Sequence, residues 1–180
     1  MNVHVLYATL EGQTGKIARF VAERAEAAGH AVTTVDVGEP MAEVDLTGAE
    51  AVILAAPVHE RRHPQPFEVV VRASREALQA RPTLLISVSL KAAFESGLAE
   101  AEEYLSDMLM RTGFEPDRSL LVAGAVRAGA YDYFQSQVLR HVVLDGQDVD
   151  PGAGAREFTD WDRLAADLDD FLAGAASPDR

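Results

Sequence analysis

Thr9, Gly12 and Thr14 fall within one short run, Thr9-Leu10-Glu11-Gly12-Gln13-Thr14. The run follows a β-rich segment at residues 2–8 (NVHVLYA) and opens a stretch with Ile17, Ala18, Val21, Ala25 and Ala28 at helical spacing. These residue types at a strand-to-helix junction can bind phosphate. A helix start offers backbone N–H groups with no intrahelical acceptor, at the positive end of the helix dipole. The threonine hydroxyls add donors, and Gly12 lets the backbone approach a ligand oxygen with no Cβ in the way. Such a set needs no Lys or Arg. Two better-known phosphate motifs fail on spacing. Around Gly12-Gln13-Thr14-Gly15-Lys16, a nucleoside-triphosphate loop would need Gly at position 10 and Ser or Thr at 17, where the chain has Leu10 and Ile17. A dinucleotide G-x-G-x-x-G is also missing after this strand.

Two other junctions carry polar residues. Ala56-Pro57-Val58-His59 follows an apolar run at 51–56, and Ser89-Leu90-Lys91 follows another at 83–89. Arg61, Arg62 and His63 make the second junction locally basic in an acidic chain. Two readings stay open for them: attraction of an acidic substrate, or ordinary solvated charge.

Strands are expected at 2–8, 31–37, 51–56, 83–89 and 119–126, and helices at 14–29, 66–79, 95–112 and 160–175. Gly29 sits at a helix stop, Pro66 in a first turn, and Thr159 or Asp160 at an N-cap. The third to fifth strands are apolar throughout, which marks strands buried on both faces of a helix-covered parallel sheet. Right-handed crossovers then favour a doubly wound α/β sheet, with order 2-1-3-4-5 as one option. Its ligand edge lies at the carboxyl ends of strands one, three and four.

The chain of 180 residues contains no cysteine, which removes disulfides, thiolate nucleophiles and cysteine metal sites. His4 and His141 lack ligand partners at metal spacing, so no metal is expected. A net charge of −13 argues against nucleic acid as partner. The acids at 160–170 read as a solvated helix face. With no signal segment after Met1 and no apolar run of membrane-spanning length, the protein is expected in the cytoplasm, with at most peripheral contact at the inner face of the cell membrane.

Val5-Leu6-Tyr7, Thr9, Gly12, Thr14, Ala18 and Val21 follow the flavodoxin signature, and the sequence resembles that family. The resemblance implies a flavodoxin-like fold over 1–176 that binds FMN. Thr9, Leu10, Glu11, Gly12, Gln13 and Thr14 would hold the phosphate. Pro57, Val58 and His59 would meet the flavin ring, and Ser89, Leu90 and Lys91 its pyrimidine edge, with Lys91 placed to stabilise anionic reduced flavin. Asp117-Arg118, Ala123-Gly124-Ala125-Val126-Arg127, Tyr131, Tyr133 and Thr159-Asp160-Trp161 further resemble the bacterial menaquinone-dependent protoporphyrinogen oxidases, as does an insertion at about 127–157. That likeness implies an FMN-dependent oxidoreductase of haem biosynthesis, passing electrons from a porphyrinogen to a quinone. His59 and Tyr131 are the candidates to assist proton removal. Residues 131–144 approach helical spacing and would cover the flavin edge. The insertion departs from the family pattern: Gly129-Ala130, Gln135-Ser136-Gln137 and the acidic stretch 145–150 replace basic and aromatic residues. The alternative is an electron-carrier flavodoxin that docks on redox partner proteins. A signalling receiver domain shares the sheet order but lacks its acidic site, since Ala8-Thr9 and Ala56-Pro57 occupy those positions.

Overall fold

The computed structural model describes residues 1–126 and 156–177. In chain order these form β1 (Asn2–Tyr7), α1 (Gln13–Ala27), β2 (Ala31–Asp36), β3 (Ala51–Pro57), α2 (Gln65–Ala73), α3 (Arg75–Gln79) and β4 (Thr83–Ser89). Two short 3₁₀ turns follow, at Lys91–Ala93 and Glu95–Gly97, then α4 (Leu98–Thr112), β5 (Arg118–Ala123), β6 (Ala125–Val126), β7 (Arg156–Glu157) and α5 (Trp161–Ala175).

The first five strands pair in parallel in the order β2-β1-β3-β4-β5. Alternation of side chains explains why β3 is apolar at every position and why β4 carries only the small polar residues Thr83, Ser87 and Ser89. In β3, Ile53 and Ala55 pack against α1 and α5 with Ile17, Val21 and Leu168. Their neighbours Leu54 and Ala56 pack on the opposite face, with Phe67 and Val71 of α2, Leu78 of α3 and Met108 of α4.

Local chemistry sets the helix boundaries. Beyond α1, Gly29 adopts φ 86°; its N–H bonds Glu26 O, and the N–H of His30 bonds Ala25 O. This Schellman arrangement favours glycine because of the positive φ. At α5, Asp160 is the N-cap, accepting from the N–H of Arg163 at 2.9 Å.

Three expected elements are divided. The helix expected over 66–79 breaks at Ser74, whose φ −96° and ψ 8° leave the helical well, so that Leu78 turns into the same core as Phe67. The helix expected from residue 95 becomes α-helical only at Leu98, because the preceding chain winds into 3₁₀ turns that begin where Ser89 Oγ accepts from the N–H of Ala92. The strand expected over 119–126 leaves the parallel sheet at Gly124. There the N–H still bonds Ser89 O, but the carbonyl accepts from Phe158, and β6 pairs antiparallel with β7.

Candidate functional site at the carboxyl edge of the sheet

Backbone bonds draw the strand ends together. The N–H of Ala8 bonds Ala55 O at 3.0 Å, that of Val58 bonds Val88 O at 2.7 Å, and that of Gly124 bonds Ser89 O at 3.1 Å. The three expected groups, residues 9–14, 57–59 and 89–91, are thereby placed side by side along one edge. Tyr131 and Tyr133, with the helix expected over 131–144, lie outside the described residues.

The first turn is built as a donor cradle. Gly12 takes φ 89°, and its N–H donates to Thr9 Oγ1 at 3.1 Å. The first intrahelical bond runs from Lys16 N–H to Gly12 O. The N–H groups of Gln13, Thr14 and Gly15 therefore have no intrahelical acceptor, and no side chain caps the helix. Thr14 is buried and Leu10 is exposed. Lys16 lies one turn further on, where Glu157 engages it at 2.6 Å. The cradle is therefore a set of neutral donors at a positive helix end, a fit for a phosphate dianion.

The second junction differs from the basic loop expected there. The N–H groups and carbonyls of His59 and Arg62 bond each other across a two-residue turn in which Glu60 and Arg61 have φ 48° and 65°. This is a primed hairpin turn, a conformation that favours Asn-Gly. Replacing Glu60-Arg61 with Asn-Gly is expected to raise stability by about 1 kcal/mol in chemical denaturation. Arg61 reaches Glu100 at 3.6 Å and lies over the Tyr104 ring at 5.3 Å. Arg62 pairs with Glu68 at 3.2 Å. His63 is 2% exposed, with Nε2 2.9 Å from Ser87 Oγ. Burial, only partly opposed by Glu68, lowers its pKa to about 4, so it is neutral at physiological pH. The three residues do not act as one basic loop: Arg61 and Arg62, both more than half exposed, have acidic partners, and His63 belongs to the interior. His59 remains exposed on the rim.

Glu68 organises this side of the site. Burial pushes its carboxyl upward, but hydrogen bonds from Arg111 and Arg62 outweigh that and hold it below the ordinary range. The Arg111 contact is bidentate, at 2.7 and 3.2 Å.

At the third junction, Ser89 is buried and Lys91 is held by Glu100 at 2.6 Å. The Lys91 ammonium, expected to stabilise anionic reduced flavin, thus carries a carboxylate partner, and its hydrogen bond lowers the pKa of Glu100. Phe94 meets Phe158 edge-on at 5.6 Å, and the Arg156 guanidinium lies 4.8 Å from the Phe158 ring centre. An open cleft of about 650 Å³ is lined, among the described residues, by Ala93, Phe94, Glu95 and Ser96. Trp161 packs half-buried against the core, with its ring 4.9 Å from that of Phe20.

Sequence reasoning passed over Glu157 and gave Thr159 only a capping role. Thr159 instead accepts from Gln13 Nε2 at 2.9 Å and donates to Ala123 O at 2.7 Å. Its place in the motif Thr159-Asp160-Trp161 was the available signal, but pairing with Gln13 depends on tertiary contact.

Comparison with known proteins agrees with this geometry. Protoporphyrinogen IX dehydrogenase [quinone] of Escherichia coli (strain K12) is 24% identical over 167 residues, spanning 92% of this chain and 91% of that protein. In three dimensions, a short-chain flavodoxin associated with a non-canonical PDU bacterial microcompartment superposes with TM-score 0.57 at 12% identity, covering 98% of this chain and 99% of its own. Flavodoxin 1 from Bacillus cereus gives TM-score 0.56, also at 12% identity, covering 96% and 98%. Residues 4–150 match the family described as Flavodoxin domain, and with a five-stranded sheet in the order 2-1-3-4-5 the chain belongs to that family.

Proposed function

We propose that the protein binds FMN along this edge and works as an oxidoreductase that accepts electrons from a porphyrinogen and passes them to a quinone. The observation that carries the cofactor reading is the first turn of α1, where the N–H groups of Gln13, Thr14 and Gly15 have no intrahelical acceptor and, with the Thr9 and Thr14 hydroxyls, suit a phosphate dianion. Pro57, Val58 and His59 then border one side of the ring, and Ser89, Leu90 and Lys91 the other. FMN bound there would supply the hydride and single-electron chemistry. The protein's part is to hold the phosphate, to orient the ring between two backbone-tied loops and, through His59 on the exposed rim, to assist proton removal. The porphyrinogen and quinone assignments rest on likeness to the E. coli dehydrogenase across nearly the full length of both chains. Among the described residues no helix is long and apolar enough to cross a membrane. A quinone partner would be reached by peripheral contact from the cytoplasm.

Thr14→Ala is expected to weaken FMN binding by about 1–3 kcal/mol, the loss of a hydrogen bond to a charged group. Unchanged affinity in a fluorescence titration would remove Thr14 from the phosphate site. The function itself is tested by an absorbance titration with FMN, then turnover of protoporphyrinogen IX with a menaquinone analogue. Binding with turnover supports the oxidase. Binding without turnover would favour the electron carrier, and absence of binding would refute both.

A further inference from the structure

The phosphate turn is braced by residues far along the chain. Gln13 is buried, and its Nε2 donates to Thr159 Oγ1, 146 positions away, at 2.9 Å. A threonine hydroxyl has one proton to give. Here it goes to the carbonyl of Ala123 at 2.7 Å, so Thr159 can only accept from Gln13. The direction of the relay is fixed, with the Gln13 amide nitrogen facing Thr159. Glu157 accepts from Lys16 Nζ at 2.6 Å and from Trp161 Nε1 at 2.7 Å, and the Lys16 hydrogen bond above all holds its carboxyl below the ordinary range. The Phe158 N–H bonds Gly124 O at 3.0 Å, and Trp161 rests on Phe20. Residues 157–161 thus fasten the first turn of α1 to the end of β5.

This arrangement has a consequence for recognition. Gln13 and Thr14 supply the N–H groups that point out of the helix, and fixing the Gln13 side chain fixes the direction of those donors before a ligand arrives. The side chain itself is turned away, so Gln13 contributes its backbone and not its amide.

Building on the FMN reading, we propose that Thr159 is a positioning residue for phosphate recognition: acting through Gln13, it selects the phosphorylated ligand over the same ligand without phosphate. The test compares dissociation constants for FMN and riboflavin, measured by quenching of flavin fluorescence in the full-length chain. Thr159→Val keeps the side-chain shape and removes the hydroxyl. It is expected to raise the FMN constant about tenfold while leaving riboflavin within about twofold, since one hydrogen-bond relay and no ring contact is lost. Thr159→Ser restores the hydroxyl and is expected to return FMN binding to near the original value. Gln13→Met, which keeps length without an amide, is expected to show the same selective loss, and the double variant no more than either alone. Equal weakening of both ligands would mean that Thr159 merely supports the fold, and would overturn the proposal. Unchanged FMN binding, or additive losses in the double variant, would overturn it too. Failure of the unsubstituted chain to bind FMN would instead refute the underlying flavin reading, and this shows in the first titration before any variant is compared.

Discussion

Gly97→Ala is expected to destabilise the protein by about 2–3 kcal/mol and to weaken flavin binding with it. Gly97 is buried and has φ −99°, a backbone angle open to any residue, so the requirement for glycine is steric. A Cβ built there would run into the carbonyl oxygen of Lys91. That neighbour is backbone within the first 3₁₀ turn and cannot move aside as a flexible side chain can. The turn must shift, and it carries Lys91 and follows Leu90, at the edge proposed to meet the flavin. A lower denaturation midpoint and a raised FMN dissociation constant are the paired outcome. Gly174→Ala is the control: on an exposed face of α5 a Cβ meets nothing within 4 Å, and alanine should be neutral or better by up to about 1 kcal/mol. If Gly97→Ala behaves like the control, the close approach between Gly97 and Lys91 is not a constraint in solution.

The second large effect is on acid stability. His63 is buried with Nε2 on Ser87 Oγ, and its Nδ1 is buried with no hydrogen-bond partner. The imidazolium form would need acceptors at both nitrogens, which is why burial lowers its pKa to about 4. Unfolded, the same side chain titrates near 6.5. The unfolded chain therefore binds a proton that the folded chain refuses. Above about pH 6.5 neither state is protonated and the full stability is present. Between there and about pH 4 stability falls by about 1.4 kcal/mol per unit, or about 3 kcal/mol in all. Glu68, held below the ordinary carboxylate range, acts in the same direction at lower pH. The double variant His63→Leu with Ser87→Ala removes both partners together, which limits the loss from an unpaired group. Its stability should change less between pH 7 and pH 5 than that of the parent. Parallel profiles over that interval would show that His63 is not the group responsible.

The turn proposed to bind phosphate was legible in the sequence because its chemistry is local. A donor cradle requires only a strand, a glycine able to take positive φ, two hydroxyl residues and a helix start, all within Thr9–Thr14. The parallel sheet was equally legible, since strands covered on both faces must be largely apolar, as Ala51–Pro57 is throughout and Thr83–Ser89 is apart from Thr83, Ser87 and Ser89. Element ends were set by contacts from other parts of the chain. Ser74 breaks one expected helix, and Gly124 ends a strand because Phe158 offers it a different partner.

The fate of the charged residues was decided only by the fold. Arg61, Arg62 and His63 are adjacent in sequence and read together as one basic loop. A tight turn sends them in three directions: toward Glu100, toward Glu68, and into the interior beside Ser87. Lys91 likewise acquires Glu100, and Gln13 acquires Thr159. A residue's type and its neighbours along the chain determine which backbone it can form and what charge it can carry. Whether that charge is free, paired or suppressed depends on distance and desolvation, which couple residues remote in sequence. The sequence by itself therefore determined the sheet and the turn proposed to bind phosphate, while tertiary packing decided the electrostatics of the loops around it and the brace from Thr159.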